Sequence, residues 1–424
     1  MKSIPRICLF LYALLLATAC SDPDITPAPF AYPLALTADQ KDHSVDLNWT
    51  QVDVSSFEEY IILRSIDSIP DTPEPEVSGL TAIVARIDQR TKTTFTDFQL
   101  PIESDVYYKV YARIGGRFLM SPTRHVGLNF QVIDFRADVM AADTAHDEIV
   151  GFDRARDLLF RYNYEEDEVQ ASELYTLNTP IIRFGQYQGK DEVYLCDRNS
   201  VIFIADRESL HWSHTINTAF NVLDFVVVDE LIIVTRSNGT IAVYDRAQRQ
   251  QRSTVGSVTI NPRFLAAAST GDNVVTVWEF ALTQVARYRI TGWSLGIERM
   301  EPIVVAGSAV LLSPRPDYLV FAMSNFGQIM DANLEPVTAL EGGSNFYQGL
   351  TFSPDGTRLF TAGFGVENAE IKMFDVTADY ALDRVYPFSF TPTNLFADEG
   401  TLYSTAVLFV NGAARTLISK IDYQ

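Results

Sequence analysis

Cysteine, histidine and positive charge are all scarce in this 424-residue chain. It has 3 cysteines and 5 histidines, and 33 lysines and arginines stand against 54 aspartates and glutamates, a formal net charge of −21. So few cysteines exclude a small fold held by a disulfide framework. The negative charge disfavours nucleic acid or an anionic membrane surface as a partner. The length predicts two or three domains that are stabilised by burial of apolar side chains.

Local catalytic signatures are absent as well. The sequence has no G-x-S-x-G, H-E-x-x-H, phosphate-loop or EF-hand pattern, and no pair of carboxylates has a spacing that implies acid–base chemistry. His211 and His214 lie on a predicted strand that points them to opposite faces, which disfavours metal ligation. The acidic run Glu165–Glu168 is interpreted as a solvated turn. We therefore predict no catalytic residue, no metal site and no cofactor.

The amino terminus lacks a hydrophobic run long enough to cross a bilayer. Its apolar stretch, Ile7–Ala17, has eleven residues, whereas a spanning helix needs about twenty. Lys2 and Arg6 precede this stretch, and small residues follow it up to Cys20. A positive region, a short apolar region and small residues are typical of a secretory signal that is removed from the mature protein. Residues 1–20 are therefore predicted to be a signal peptide.

The segment "LATAC", which ends at Cys20, resembles the lipobox of bacterial lipoproteins, although its leucine stands one place early, at Leu16. The resemblance implies that Cys20 carries a diacylglycerol and an N-acyl chain such as palmitate, which together give stable anchoring. Ser21 and Asp22 imply the outer membrane, and an acidic residue so close to the cysteine is similar to surface-export signals of Bacteroidetes lipoproteins. Residues 21–34, with four prolines, are predicted to be a tether.

Cys196 is the one cysteine left without an explanation. Cys8 leaves with the signal peptide, and lipidation of Cys20 leaves Cys196 with no partner. We therefore predict no intrachain disulfide. Since Cys196 lies in the apolar strand "DEVYLCD", we expect it to be a small buried apolar side chain rather than a reactive thiol.

Residues 35–127 form a segment of short alternating strands separated by turn-forming residues, which predicts a β-sandwich of about ninety residues. The segment resembles a fibronectin type III domain. Trp49 takes the position of the core tryptophan in the second strand, "TFTD" at Thr94–Asp97 matches the fifth strand, and "YKVYA" at Tyr108–Ala112 matches the sixth. These aromatic residues are expected to form the core.

The remaining chain, residues 128–424, carries a repeat. Leu350–Val376 reads as strand, turn, strand, turn, strand, and seven such copies can be identified. Their third strands end near Asn163, Asp206, Asp245, Arg289, Asp331, Asp375 and Asp422, at intervals of 39 to 47 residues. A period near 43 with three or four strands per copy is typical of β-propeller blades. The sequence therefore predicts an all-β protein, a fibronectin type III-like sandwich followed by a seven-bladed propeller.

The seventh copy lacks its fourth strand, because the chain stops after the third. The strand around Asn129–Phe135 belongs to no other copy, so we expect it to complete the seventh blade and remove an open sheet edge. The blades resemble WD-repeat and YVTN-type propellers, with "VYD" and "MFD" where Trp-Asp pairs usually stand. Aspartates at the blade ends, such as Asp206, are expected to cap turns.

The function suggested by the sequence is binding. In propellers, ligands often meet the face made by loops that join one blade's outer strand to the next blade's inner strand. The most aromatic such loop is Glu341–Gly349, in which Phe346 and Tyr347 could stack on a sugar or a peptide, or fill the seam between blades. The first hypothesis is a surface-anchored protein that binds a protein or glycan ligand without catalysis. The alternatives are a propeller hydrolase or lyase acting on a polymer, and a structural subunit of an envelope complex.

Overall fold

The computed structural model describes residues 34–41, 44–101, 105–128, 130–257, 264–269, 274–281, 284–302, 309–312, 318–322, 327–331, 333–340, 347–364, 369–388, 390–410 and 413–423. The chain divides into two compact units. One lies within the first 126 residues, and the other comprises Gly127–Gln424 together with residues 40–45 and 96–104.

The part of the chain that contains the first unit is built from short antiparallel strands. They are β1 (Leu36–Lys41), β2 (Ser44–Trp49), β3 (Phe57–Ser65), β4 (Thr81–Ile87), β5 (Thr94–Asp97), β6 (Asp105–Ile114), β7 (Arg117–Met120) and β8 (Arg124–Gly127). One sheet has the order β1-β2-β5, and the other has the order β4-β3-β6-β7, with β8 also pairing β6. Trp49 of the first sheet meets Tyr60 of the second edge-to-face, with 5.4 Å between ring centroids. Both residues are buried, as expected for core aromatics.

The loop after β3 is fastened to the first unit's second sheet by a buried lysine. Lys109 of β6 is fully buried, and its Nζ donates to the carbonyl of Pro70 at 2.9 Å and to the carboxylate of Asp71. The hydroxyl of Tyr111 donates to the carbonyl of Thr72 at 3.2 Å. A buried ammonium needs such partners, because an unpaired charge in the interior is costly. The proline-rich insertion is therefore held in place by specific polar contacts.

The second unit contains seven four-stranded antiparallel sheets within the described residues. Blade 1 consists of β10 (Val139–Asp143), β11 (Glu148–Asp153), β12 (Leu158–Asn163) and β13 (Glu168–Leu174). Blade 2 consists of β14 (Ile181–Tyr187), β15 (Lys190–Cys196), β16 (Val201–Asp206) and β17 (Trp212–Asn217). Blade 3 consists of β18 (Val222–Val228), β19 (Leu231–Arg236), β20 (Thr240–Asp245) and β21 (Gln250–Gly256).

Blades 4 to 6 follow the same order. Blade 4 consists of β22 (Phe264–Ser269), β23 (Val274–Ala281), β24 (Gln284–Thr291) and β25 (Ser294–Pro302). Blade 5 consists of β26 (Ala309–Leu312), β27 (Tyr318–Ala322), β28 (Gly327–Asp331) and β29 (Pro336–Leu340). Blade 6 consists of β30 (Tyr347–Phe352), β31 (Arg358–Phe364), β32 (Ala369–Asp375), the short 3₁₀ helix Val376–Ala378 and β33 (Ala381–Phe388).

The seventh blade is completed from the other end of the unit. It consists of β34 (Asn394–Asp398), β35 (Thr401–Val410), β36 (Ala413–Asp422) and, as its fourth strand, β9 (Phe130–Ile133). The register pairs Thr416 with Ile133, and the amide of Ala137 donates to the hydroxyl of Thr416 at 2.8 Å. The predicted closing strand is therefore confirmed. The first strands of successive blades contact each other from blade 1 to blade 7, and blades 7 and 1 share a buried cluster that includes Ile149 and Phe396, so the sheets form a closed ring.

Burial decreases from the middle of each blade to its outer strand. All six residues of β11 are buried, whereas β13 is exposed or half-buried along its whole length. Strands that are apolar on both faces occupy the interior of layered β structures, and strands with polar residues tolerate solvent. The second and third strands thus form the packing between blades, and polar turns lie at the two ends of each sheet.

Six of the seven predicted ends of third strands coincide with the structure, and the fourth does not. We predicted an end near Arg289, but β24 continues to Thr291. The difference arises because only two residues, Gly292 and Trp293, separate β24 from β25, so the strand extends to the tip of the hairpin.

Cys196 is confirmed as a buried apolar side chain. It is free, fully buried and packed with Tyr194 and Ile204 between blades 2 and 3. Burial raises the pKa of its thiol to about 12, so the thiol stays protonated and unreactive near neutral pH.

Candidate functional site

The two residues singled out most strongly by the sequence lie outside the described residues. These are the lipidation candidate Cys20 and the aromatic ligand candidate Phe346. Tyr347, the second ligand candidate, is the first residue of the strand Tyr347–Phe352. Lipidation at Cys20 and ligand contacts at Phe346 and Tyr347 therefore remain predictions.

The aspartates that end the third strands cap the turns that follow them. Asp206 accepts from the amide of Ser209 at 2.9 Å, and Asp375 accepts from the amide of Thr377 at 2.8 Å. Asp245 accepts an amide of its own turn at 3.1 Å. The amide and hydroxyl of Ser209 lower the pKa of Asp206, and the hydroxyl of Thr377 with Arg358 lowers that of Asp375 to about 2. The expected capping role is confirmed, and these carboxylates are ionised at neutral pH.

The capped turns lie on one face of the ring, which we call the turn face. It is made by the turns that join the first strand to the second and the third strand to the fourth in each blade. In blades 1 to 3 these include residues 144–147, 164–167, 188–189, 207–211, 229–230 and 246–249. Since a turn is fixed at both ends by a sheet, side chains on this face have defined positions.

The residue after Asp206 reaches back into the junction with the preceding blade. Arg207 is buried, and its Nε and Nη2 donate to Oε2 of Glu148 at 2.9 and 2.8 Å. Its guanidinium lies 5.3 Å from the ring centroid of Phe184. A guanidinium that is both paired with a carboxylate and stacked on an aromatic ring is well compensated for burial.

The next junction repeats this arrangement. Arg246 follows the capping Asp245, and its Nε donates to Oε2 of Glu192 at 2.6 Å. The hydroxyl of Tyr194 donates to the same carboxylate oxygen at 2.6 Å. The guanidinium lies 4.6 Å from the ring centroid of Tyr187. Two consecutive junctions are thus closed by a buried arginine that binds a glutamate of the preceding blade.

A polar groove lies on the turn face between blades 1 and 3. It consists of two depressions of about 680 and 280 Å³ that share Lys190, Asp191 and Asp206. His146 and Glu208 line the larger part; His214 and Tyr187 line the smaller one. The buried arginines form part of its floor, so the junction pairs also support the groove.

His146 links the floor of the groove to its edge. Nη1 of Arg207 donates to Nδ1 of His146 at 2.8 Å, and Nε2 lies 3.3 Å from Oδ2 of Asp191. Nδ1 also lies 3.3 Å from Oδ2 of Asp143. The imidazole therefore bridges the buried guanidinium and the carboxylates around it.

His214 is held in a cationic environment at the smaller depression. Nη1 of Arg249 donates to its Nδ1 at 2.9 Å. Partial burial, followed by the charges of Arg249 and Arg246, lowers the pKa of His214 below 6.5. The groove thus presents this ring as a neutral hydrogen-bonding group at neutral pH.

The opposite face carries a smaller cleft of about 240 Å³ within the described part of the chain. Arg183 in this cleft donates to Asp224 and to the carbonyls of Phe225 and Ile182, each at 3.0 Å. Its hydrogen-bonding capacity is largely used within the protein. The outer-to-inner loops that are predicted to bind ligand belong to this face, whereas the depression of about 680 Å³ lies on the other one.

The histidine pair does not form a common site. Nδ1 of His211 lies 2.8 Å from a carboxylate oxygen of Glu173, whereas His214 contacts Arg249. Over the described ranges, no cluster of three histidine, cysteine, aspartate or glutamate side chains is close enough to hold a metal ion. The same ranges contain no helix with the length and apolarity needed to cross a membrane.

The acidic run Glu165–Glu168 does begin in a turn, but it is more than a solvated one. The amides of Glu165 and Glu166 donate to Oδ1 of Asn163 at 2.9 and 2.8 Å. Glu165 also accepts from the hydroxyl of Tyr403 and lies 3.3 Å from Nζ of Lys420. The first glutamate therefore links blade 1 to blade 7.

The junction pairs were not predicted from the sequence, although their signal is visible there. Asp-Arg follows the third strand at residues 206–207 and 245–246, and Asp-Glu opens the second strand at 147–148 and 191–192. Recognising them requires the knowledge that each arginine pairs with the glutamate of the preceding blade.

Comparison with known proteins supports the fold and leaves the family open. Two crystal structures of BBS1N in complex with ARL6DN, one soaked with lead and one with mercury, match with TM-scores of 0.50 and 0.51. Sequence identity is 12% and 13%, and the matches cover 67% and 68% of this chain and 92% of the matched chain. At this identity the similarity shows the fold alone, which is a β-propeller. No protein-family model and no curated protein matches the sequence.

Proposed function

We propose that this protein is a non-catalytic binding protein whose propeller holds a protein ligand on the turn face. The observation that carries the proposal is the polar groove of about 680 and 280 Å³ that extends across three blades. An open, elongated groove of this kind suits a segment of a macromolecule better than an enclosed small molecule.

The rigidity of the groove favours binding. Its edges are turns capped by Asp206 and Asp245, and its floor contains the buried arginines Arg207 and Arg246. A preorganised surface loses little conformational entropy when a ligand arrives, so more of the contact energy is available as affinity.

The charge of the protein suggests which ligands fit. Residues 128–424 carry a net charge of −16 in the sequence, so a ligand with basic patches would be attracted and steered. The matched propeller in BBS1N is in complex with a protein, ARL6DN, which supports a protein rather than a glycan ligand here.

The amino-terminal segments complete the proposal. Cys20 carries the lipid that anchors the protein in the outer membrane at the cell surface, residues 21–34 are the tether, and a fibronectin type III-like domain is the spacer. Replacing Cys20 by Ser is expected to release the protein into the soluble fraction, or to leave uncleaved precursor, because no acyl chain holds it. Unchanged mature mass and detergent partitioning would contradict the anchor.

Photo-crosslinking in the cells that produce the protein tests the binding face. A benzoylphenylalanine at Lys190, exposed in the groove, is expected to give a discrete protein adduct. The same residue at Asn221, exposed on the opposite face, serves as the matched control and is expected to give none. Adducts from Asn221 alone, adducts from neither position, or turnover of peptides or glycans by the purified protein would overturn the proposal.

A further inference from the structure

The residue that follows the third strand fills the junction between blades on the turn face. Equivalent positions in different blades can be identified from strand pairing. In each blade, the last residue of the third strand pairs with a residue near the start of the second strand. These pairs are Asn163 with Glu148, Asp206 with Glu192, Asp245 with Leu231, and Thr291 with Val274. The next residue is buried Tyr164, Arg207 and Arg246 in blades 1, 2 and 3.

Blade 4 has a glycine at this position. Gly292 begins the two-residue turn of the β24–β25 hairpin with a φ of +58°, a left-handed conformation that glycine adopts without steric cost. A Cβ placed on Gly292 would meet no atom within 4 Å. On the facing blade, Leu231 stands where the other junctions have Glu148 and Glu192. The junction between blades 3 and 4 therefore lacks both members of the arginine–glutamate pair.

A cavity of about 340 Å³ lies at this junction. Leu231, buried Val275 and Trp293 form its apolar walls, and Asp229 and Glu230 stand exposed at its rim. Over the part of the chain that the structure describes, neither rim carboxylate takes part in an ion pair. The volume is within the range of sites that hold a small molecule or a side chain.

The charges around Trp293 leave the rim acidic. Arg252 stacks on the indole ring, with 4.9 Å from its guanidinium carbon to the ring. Nη2 of Arg252 also donates to Oδ2 of Asp245 at 2.5 Å, so its charge is neutralised within blade 3. Asp229 and Glu230 are then the charged residues among those that line the cavity, and their negative charge favours a cation.

We propose that this cavity binds an arginine side chain of a protein partner. The proposal rests on the proposed protein-binding function and adds a site and its ligand chemistry. In the two preceding junctions a guanidinium lies over an aromatic ring and against a carboxylate. The third junction offers two carboxylates and the part of Trp293 that lines the cavity, whereas its own guanidinium, Arg252, is bound by Asp245 and does not line the cavity. Arginine is favoured over lysine because a planar guanidinium can stack on the indole and bind a carboxylate together.

The test uses ¹⁹F NMR of the full chain labelled with 5-fluorotryptophan, which gives one signal for each of the four tryptophans. Nα-acetyl-arginine methylamide is the probe, and the citrulline analogue is its neutral control of similar shape. We expect a saturable shift of the Trp293 signal with the arginine probe and at least a fivefold weaker response with citrulline. Trp293→Phe assigns the signal. An unmoved Trp293 signal, or an equal response to citrulline, would overturn the proposal.

Two matched variants examine the carboxylates. The double change Asp229→Asn and Glu230→Gln is expected to weaken the probe about fivefold or more, and asparagine tolerates the left-handed φ of +51° at Asp229. Glu399→Gln, an exposed glutamate on the turn between the first two strands of blade 7 on the same face, is expected to leave the response unchanged. A response equally strong in the double variant would contradict the proposed role of the rim. The probe needs no partner, so a positive Lys190 crosslink beside a silent Trp293 would reject this site alone.

Discussion

His214 shows how the groove controls the charge of a single side chain. Partial burial and Arg249, 2.9 Å away, lower the pKa of this imidazole below 6.5. The folded state therefore binds the proton less well than the unfolded state. The stability that His214 contributes is present above pH 6.5 and is lost as the pH falls through the lowered folded value.

We predict that removing the neighbouring cation raises this pKa. Arg249→Gln takes away a positive charge that disfavours the imidazolium, so His214 is expected to titrate closer to 6.5. The ¹H NMR titration of the imidazole protons measures the shift. Arg198→Gln, on the opposite face of the same blades, is the control and should leave the titration of His214 unchanged. No change with Arg249→Gln would contradict the effect assigned to the charge of Arg249.

Single residues differ in how far the sequence could predict them. The capping aspartates and the buried Cys196 were predictable because caps and apolar strands are local patterns. The contacts of His146 were not, since they are made with Arg207, which lies 61 residues away in sequence, and with Asp191. Glu165 is a similar case, because its partners come from the seventh blade.

At the scale of elements, neighbouring blades are joined by buried charge. Glu192 is about one-tenth exposed and is bound by Arg246 and Tyr194. Removal of one member of a buried pair leaves an uncompensated charge and costs about 3–5 kcal/mol. Replacement of both members by apolar residues is far less costly, and the junction with Leu231 and Gly292 shows that the fold accommodates a pair-free junction.

We predict that Arg246→Met lowers the free energy of unfolding by about 3–5 kcal/mol, because Glu192 stays buried without its cation. Adding Glu192→Leu to this variant is expected to restore more than half of the loss. Arg299→Met removes an arginine from an exposed pair with Glu335 and should leave the unfolding midpoint near that of the wild type. Urea unfolding followed by circular dichroism measures all three. A double variant less stable than Arg246→Met would contradict the account of the junction.

The strand boundaries show why the repeat could be identified from the sequence although one of its seven strand ends could not. Alternating apolar residues followed by an aspartate, or by Asn163 in blade 1, fix where third strands end in six blades. In blade 4 the hairpin turns through Gly292 and Trp293 without a capping aspartate, so the local signal was missing. Gly292 and Trp293, which make this strand end later than predicted, also line the cavity between blades 3 and 4.

At the scale of the whole molecule, the ring depends on a strand taken from the start of the unit. In β9, Ile133 is buried among residues of blades 1 and 7, whereas the adjacent Val132 is 37% exposed. We predict that Ile133→Asp destabilises the propeller by about 3 kcal/mol or more, because it buries an unpaired charge at the closure. Val132→Asp, on the other face of the same strand, is expected to cost less than about 1 kcal/mol.

Chemical unfolding of the full chain with each variant measures this difference. Equal stability of the Ile133 and Val132 variants would mean that β9 does not close the ring.

The closure of the ring was predictable from the sequence, because one copy of the repeat lacked a strand and one strand belonged to no copy. The binding face was not predictable, because the groove is formed by side chains that three blades bring together.

The central claim, that the turn face binds a protein ligand without turnover, is tested most directly by calorimetric titration of the partner captured at Lys190. Two exposed charge reversals are compared with the wild type, Glu208→Lys in the groove and Asp157→Lys on the opposite face. The account predicts about fivefold to tenfold weaker binding for Glu208→Lys, less than twofold change for Asp157→Lys, and an unaltered intact mass of the partner after incubation. Weaker binding through Asp157 alone, or a cleaved or modified partner, would contradict it.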